Sequence, residues 1–196
     1  MRIGVIDYGA SNIESIGNAL MHLRQEFELI EKPDSLERFD KFILPGVGAA
    51  GSAMEHLRES GFSEVIPKIK VPVLGLCLGL QLFAEYSEEN DTSCLSIIPG
   101  KVRRFSASGL KVPHIGWNRV KITRESPLTS GIADGSYFYF VHGYYLNSMD
   151  FAVGVADYGI RFPAIIKKAN FYAAQFHPEK SGELGLQILR NFCELC

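Results

Sequence analysis

The sequence predicts an α/β fold: a single domain with a mixed, mostly parallel sheet, helices on both faces and a cysteine at a sharp strand-to-helix turn. Three observations carry this expectation. Short β-branched apolar runs alternate with segments of helical apolar spacing through the first half of the chain. Several of these runs lead directly into glycine-rich turns, as sheet strands do where they hand over to helices. The 196 residues fit one domain spanning 1–196, and a composition of 46% hydrophobic and 21% charged residues supports a sizeable core and excludes a disordered chain.

Residues 2–6 read as a buried strand. The segment 13–23 follows, with Ile13, Ile16, Leu20 and Leu23 at helical spacing and Ser11 or Asn12 placed to cap it. Residues 27–30 and 41–44 are the next strands, the latter running into Pro45-Gly46-Val47-Gly48. A helix through Met54 and Leu57 leads to an apolar strand at 71–75, after which 78–86 reads as helix. Parallel pairing with right-handed crossovers joins these units most simply. The second half is richer in strands, at 101–105, 118–122, 137–141, 152–156, 163–167 and 171–176, in antiparallel or mixed pairing. A final helix over 183–195, capped by Ser181, turns Leu184, Ile188, Leu189 and Phe192 toward the sheet.

Charge and hydropathy exclude several function classes. A formal net charge of -2 provides no general field for phosphate backbones or anionic lipid. The basic residues Lys101, Arg103, Arg104, Lys111, Arg119, Lys121 and Arg124 are spread over strands and loops without an RNA-binding motif, and read as a solvated face. No nucleic-acid partner is expected. The longest apolar stretch, Val71 to Leu80, is interrupted by Pro72, Gly75 and Gly79 and is too short for a membrane span, and the amino-terminal run is too short for a secretory signal. A cytoplasmic protein is expected, with Cys77, Cys94, Cys193 and Cys196 as thiols. Cys193 and Cys196 have C-x-x-C spacing but lack a second such pair, so neither a metal nor a cofactor is expected.

The chemistry concentrates at strand ends. Gly75-Leu76-Cys77-Leu78-Gly79 sets a cysteine between two glycines where a strand turns into a helix, a nucleophile elbow with sulfur in place of a serine oxygen. Side chains at the glycines would crowd the turn, and a helix amino terminus favours the attacking thiolate. The plainer alternative is a small buried cysteine. His177 and Glu179, two residues apart after the last strand, supply an imidazole that takes the thiol proton and a carboxylate that orients it. Taken singly, His177 is equally a surface histidine beside a Glu179–Lys180 ion pair. Gly46, Val47 and Gly48 also follow a strand. Their backbone offers one oxyanion donor and the N–H of Leu78 another, unless the segment is an ordinary strand-to-helix turn.

These three segments together resemble the class I glutamine amidotransferases, and the resemblance spans essentially the whole chain. The segments Val112 to Asn118, Tyr139 to Tyr145 and Phe176 to Gly182 narrow it to the stand-alone glutaminase subunits that feed a (β/α)8-barrel cyclase in histidine biosynthesis. The resemblance implies hydrolysis of L-glutamine through Cys77, His177 and Glu179. The ammonia passes to the cyclase subunit of a heterodimer, which forms imidazole glycerol phosphate and an aminoimidazole carboxamide ribonucleotide. It further implies that Gln81, His142 and Gly143 contact glutamine and that Asn12, Trp117, Asn118 and Lys180 face the cyclase. Without the resemblance, Gln81 reads as a turn cap, Trp117 as a core aromatic and Asn12 as a helix cap. The sequence departs from the family pattern at Ser11, where glycine is common, and at Gly143, where serine is usual. These departures keep open a paralogue that supplies ammonia for a bacterial surface sugar. A partner-docking module without catalysis is a further alternative, which an intact Cys77, His177 and Glu179 disfavours.

Overall fold

The computed structural model describes residues 1–9, 13–34, 36–106 and 109–196. The chain begins with β1 (Ile3–Ile6), α1 (Ile13–His22), β2 (Phe27–Ile30), β3 (Lys41–Leu44), α2 (Ala50–Glu59), α3 (Phe62–Val65), β4 (Val73–Leu76) and α4 (Leu78–Leu82). It continues through β5 (Tyr86–Ser87), β6 (Thr92–Ser93), β7 (Lys101–Arg104), β8 (His114–Ile122), β9 (Ser136–His142) and β10 (Tyr144–Leu146). The last elements are β11 (Ala152–Asp157), β12 (Arg161–Lys168), β13 (Phe171–Ala174) and α5 (Gly182–Leu195). The caps expected for α1, Ser11 and Asn12, lie outside the described residues.

Nine strands form the main sheet in the order β2-β1-β3-β4-β13-β12-β11-β8-β9. From β2 to β13 the pairing is parallel, and from β13 to β9 it is antiparallel. The mixed sheet is as expected, while the mostly parallel pairing holds for one half only, because β11 to β13 follow one another through tight connections that reverse the chain. Period-two alternation divides the core. Ile3, Val5, Ile43, Leu74 and Leu76 pack under α1 and α5, and Phe42, Leu44 and Val73 pack under α2 and α4, so helices cover both faces.

Four further expectations are corrected. The helix expected over 78–86 stops at Leu82, because the carbonyls of Leu82, Phe83 and Ala84 accept from the N–H groups of residues 95–98. The strand expected at 101–105 belongs to a second sheet, β10-β7-β5-β6, whose two-residue strands β5 and β6 carry too little pattern to be read. The strand expected from 118 begins at His114 and pairs with β9 along its length. Ser181 precedes α5 without capping it through its side chain. Its hydroxyl instead donates to the His177 carbonyl at 2.7 Å and accepts from the Tyr139 N–H at 2.9 Å. Among the described residues no helix is long and apolar enough to cross a membrane.

Candidate active site

β4 ends at Leu76 and α4 starts at Leu78, which leaves Cys77 alone at the turn with φ +52° and ψ −104°. A non-glycine residue there costs about 1–3 kcal/mol and persists only where its surroundings hold it. The surroundings are backbone. The Cys77 N–H donates to the Ala174 carbonyl at 2.8 Å, and a Cβ on Gly79 would stand 2.2 Å from the Leu44 carbonyl oxygen. A Cβ on Gly75 would stand 2.8 Å from the Gly79 backbone. The two glycines therefore let β3, β4 and α4 close around the cysteine, whose Sγ lies 3.8 Å from the Val141 carbonyl and 3.9 Å from Gln175 Nε2.

The parallel pairing of β13 with β4 places Ala174 opposite Leu76, so the chain leaving β13 arrives level with the elbow. His177 is held there by its own N–H, which donates to the Tyr139 carbonyl at 2.9 Å. Its Nδ1 meets Glu179 Oε1 at 2.8 Å, leaving Nε2 as the ring nitrogen open to Cys77. Both side chains are buried. Burial pulls the imidazole pKa down, but the hydrogen bonds to Cys77 and Glu179, and then their charges, outweigh it and raise the value to about 10. The array is thus set as an imidazolium oriented by a carboxylate and facing a sulfur. The second Glu179 oxygen, Oε2, is buried without a hydrogen-bond partner among the described residues.

Cys77 and His177 open into a cavity of about 290 Å³, which Val47, Gly48, Leu78, Gln81, His142 and Gly143 also line. Gly46 does not line it; the Gly46 carbonyl accepts from the Leu78 N–H at 3.3 Å. Gln81 Nε2 donates to the Tyr144 carbonyl at 3.0 Å and to Gln175 Oε1 at 3.2 Å, so its amide nitrogen braces the wall of the cavity. His142 Nδ1 donates to the same Tyr144 carbonyl at 2.7 Å. That bond makes its Nε2 the acceptor for His114 Nδ1 at 3.0 Å, and His114 Nε2 in turn faces Asn118 Nδ2 at 3.4 Å. Burial holds both rings neutral, pulling His114 down to about 4 and His142 to about 3.

The chain matches the family model "Glutamine amidotransferase class-I" over residues 4–196. It is 48% identical over 198 residues to the imidazole glycerol phosphate synthase subunit HisH of Methanocaldococcus jannaschii, covering 98% of this chain and 99% of that one. The protein of the same name from Haemophilus influenzae is 43% identical over 194 residues, covering 99% of this chain and 98% of that one. The chain belongs to the class I glutamine amidotransferases. Its fold is shared by PurLQS of Thermotoga maritima, with a TM-score of 0.73 at 17% identity over 98% of this chain and 97% of that one. A second solved glutamine amidotransferase of Thermotoga maritima has a TM-score of 0.67 at 19% identity over 99% of this chain and 83% of that one.

The residues that the amidotransferase resemblance assigns to a partner face do not form one group. Asn12 lies outside the described residues. Trp117 is 56% exposed on β8 and shares an open apolar face with Ile115 and with Tyr137 of β9. Asn118, the next residue along the strand, points the other way and donates to the Asp157 carbonyl at 2.9 Å. Lys180 lines the cavity beside His177. Sequence reasoning missed Glu89, Val141 and Tyr144, which also line it. Glu89, the single carboxylate among the described residues that lines the cavity, accepts from the Ala50 N–H at 2.8 Å, and burial raises its pKa. It stands in the run Glu88-Glu89-Asn90-Asp91, which as sequence looks like an ordinary solvated turn.

Proposed function

We propose that this amidotransferase is the glutaminase subunit of an imidazole glycerol phosphate synthase. The observation that carries the reading is that Cys77 and His177 open together into one amino-acid-sized cavity, with Glu179 hydrogen-bonded to His177 Nδ1. Cys77 Sγ attacks the side-chain amide carbon of L-glutamine, forming the C–S bond as the carbonyl becomes an oxyanion. His177 Nε2, which holds the thiol proton, delivers it to the amide nitrogen. The C–N bond breaks, ammonia leaves, and a glutamyl thioester remains. Water, deprotonated by His177, then releases glutamate and restores the thiol. Glu179 keeps the imidazole oriented and stabilises its cation. Glu89 answers the substrate ammonium, and the N–H groups of Leu78 and Val47 are the oxyanion donors. No metal or cofactor enters this scheme.

Ammonia let into neutral water is protonated and loses its lone pair, so its value as a nucleophile depends on direct delivery. In this reading the recipient is a (β/α)8-barrel cyclase docked over the open face of Ile115, Trp117 and Tyr137, and the product is imidazole glycerol phosphate for histidine synthesis. A biosynthetic role of this kind belongs in the cytoplasm, and four free thiols suit that reducing compartment.

The test is glutamine turnover by the purified chain, alone and with a histidine-pathway cyclase and its nucleotide ligand. Strong stimulation by the cyclase is expected. Cys77→Ala should abolish the glutamine-dependent reaction and leave the cyclase working on free ammonia. Full glutaminase activity in the alanine variant would overturn the reading. Failure to complement a histidine auxotroph together with the cognate cyclase would move the chain to a surface-sugar pathway.

A further inference from the structure

One buried polar group beside the active site has no role in the chemistry above. Tyr8 lies two residues beyond β1, at the carboxyl end of the parallel strands. Its hydroxyl is buried and has no hydrogen-bond partner among the described residues. It rests against the loop after β3: a Cβ built on Gly46 would stand 3.0 Å from that oxygen and 2.8 Å from the Leu78 Cβ. Burial, reinforced by the charges of Cys77 and Asp7, raises the tyrosine pKa, so the group is a proton donor at any working pH. Leaving a buried hydroxyl without a protein partner is costly, and a buried donor of this kind points to an acceptor in another state of the site.

The candidate acceptor is one peptide away. In this structure the Leu78 N–H, which the reaction needs for the oxyanion, is occupied by the Gly46 carbonyl at a long 3.3 Å. The hole is therefore blocked by its own loop. Turning the Gly46–Val47 peptide frees the Leu78 N–H and swings the Val47 N–H toward the cavity in one movement. Gly46 supplies one hinge of that peptide, and Gly48, one residue beyond Val47 at φ +90° with open space around it, lets the following chain absorb the rotation. The same movement strips the Gly46 carbonyl of its partner and would leave a second unsatisfied group.

We propose that the Tyr8 hydroxyl is the donor that receives the Gly46 carbonyl when this peptide turns, and so holds the oxyanion loop in its working position. Tyr8 is then a positioning residue. It never touches glutamine, and its hydrogen bond exists only in the turned loop. This inference rests on the glutaminase reading.

The test is Tyr8→Phe, which removes the hydroxyl and keeps the ring, assayed in the complex with a histidine-pathway cyclase and its nucleotide ligand. Glutamine-dependent kcat should fall about tenfold, the value of one neutral hydrogen bond made only in the reactive state, with KM for glutamine nearly unchanged. Product formation from free ammonia should be unaffected. The thermal midpoint of the isolated chain should stay level or rise, because the lost hydroxyl had no partner at rest. An unchanged kcat overturns the proposal. So does a lowered midpoint, which would reveal a hydrogen bond already made at rest, or an equal fall in the glutamine and ammonia reactions, which would indicate a docking defect. A wild-type complex that hydrolyses no glutamine would overturn the function itself, an outcome separate from any effect of Tyr8→Phe.

Discussion

Two histidine sites lie side by side in this fold, equally buried, one charged and the other neutral. His177 is 5% exposed, and His142 and His114 are 5% and 4% exposed. His177 is raised to about 10, whereas His142 is lowered to about 3 and His114 to about 4 from an ordinary 6.5. Burial pulls all three the same way. His177 has a carboxylate and a thiol within hydrogen-bond reach. His142 has only the Tyr144 carbonyl to favour its charge, against burial and the neighbouring imidazoles of His114 and His177. Burial by itself makes a histidine a neutral structural linker, and the cysteine sulfur together with a carboxylate on Nδ1 makes it a cation fit for proton transfer. The neutral pair reaches from Asn118 through His114 and His142 to the Tyr144 carbonyl, which also accepts from Gln81. It is built into the wall of the same cavity.

The largest expected effect erases this difference. Glu179→Gln keeps a side chain of the same shape and removes the charge. Glutamine turnover in the cyclase complex should fall by about a thousandfold, within the range found when the acid of such a triad is neutralised. The His177 titration, followed by NMR, should drop toward the values of the other two rings. A variant that retains full activity with an unmoved titration would break the comparison.

The next effect sharpens it from the other side. His114→Phe preserves the stack on Tyr158, where the ring centroids are 4.0 Å apart, but leaves His142 Nε2 without its donor. Urea denaturation at pH 7 should show a loss of about 1–3 kcal/mol, the cost of an orphaned buried acceptor. The pH dependence carries a sign. Groups with lowered folded pKa values, such as His114 and His142, lend stability above about 6.5 and lose it as the pH falls toward 4 and 3, because the unfolded chain takes up protons first. His177, with its raised value, lends stability in full below about 6.5 and loses it as the pH climbs through about 10. The variant should therefore be less acid-sensitive than the parent between pH 6.5 and 4, with the alkaline limb unchanged. An acid limb as steep as the parent's would assign the loss to other groups.

The smallest effect is expected at Gly143, between the histidine pair and the cavity. A Cβ there would lie 3.6 Å from Val112 Cγ1 and 3.9 Å from Pro113 Cβ, ordinary contact distances. Gly143→Ala should change stability by no more than about 0.5 kcal/mol in urea melts. The glycine that replaces the family's usual serine is thus a loss of a hydroxyl with room left for it, unlike Gly79, whose Cβ would collide with a backbone carbonyl. A large loss on Gly143→Ala would show that the wall tolerates less than its spacing implies.

Much of this was legible in the residues because the relevant signals are local. The elbow glycines flank Cys77 by two residues on each side, and His177 and Glu179 share one turn. β1, β3 and β4, buried on both faces, fall on the largely apolar runs read at 2–6, 41–44 and 71–75. The antiparallel half was harder. β8 alternates buried with exposed residues, and its first residues, His114 to Trp117, do not look like a strand until β9 lies beside them. The early end of α4 and the long pairings of the small sheet arise from hydrogen bonds to segments about 12 to 46 residues away, which no short window contains.

What the sequence determined by itself is therefore the chemistry and the layout that presents it: a cysteine on a glycine turn, a histidine with its carboxylate, a glycine loop, and a sheet with helices on both faces. Only the tertiary structure decided which side of each functional group faces what. It turned Asn118 onto the Asp157 carbonyl while leaving Trp117 open, put Glu89 on the cavity, left His177 charged and His114 and His142 neutral, and set the Gly46 carbonyl on the Leu78 N–H beside the Tyr8 hydroxyl. The physical reason is that residue type and spacing encode covalent reach and local backbone preference, whereas protonation, burial and hydrogen-bond partnership depend on which distant atoms come within about 3 Å.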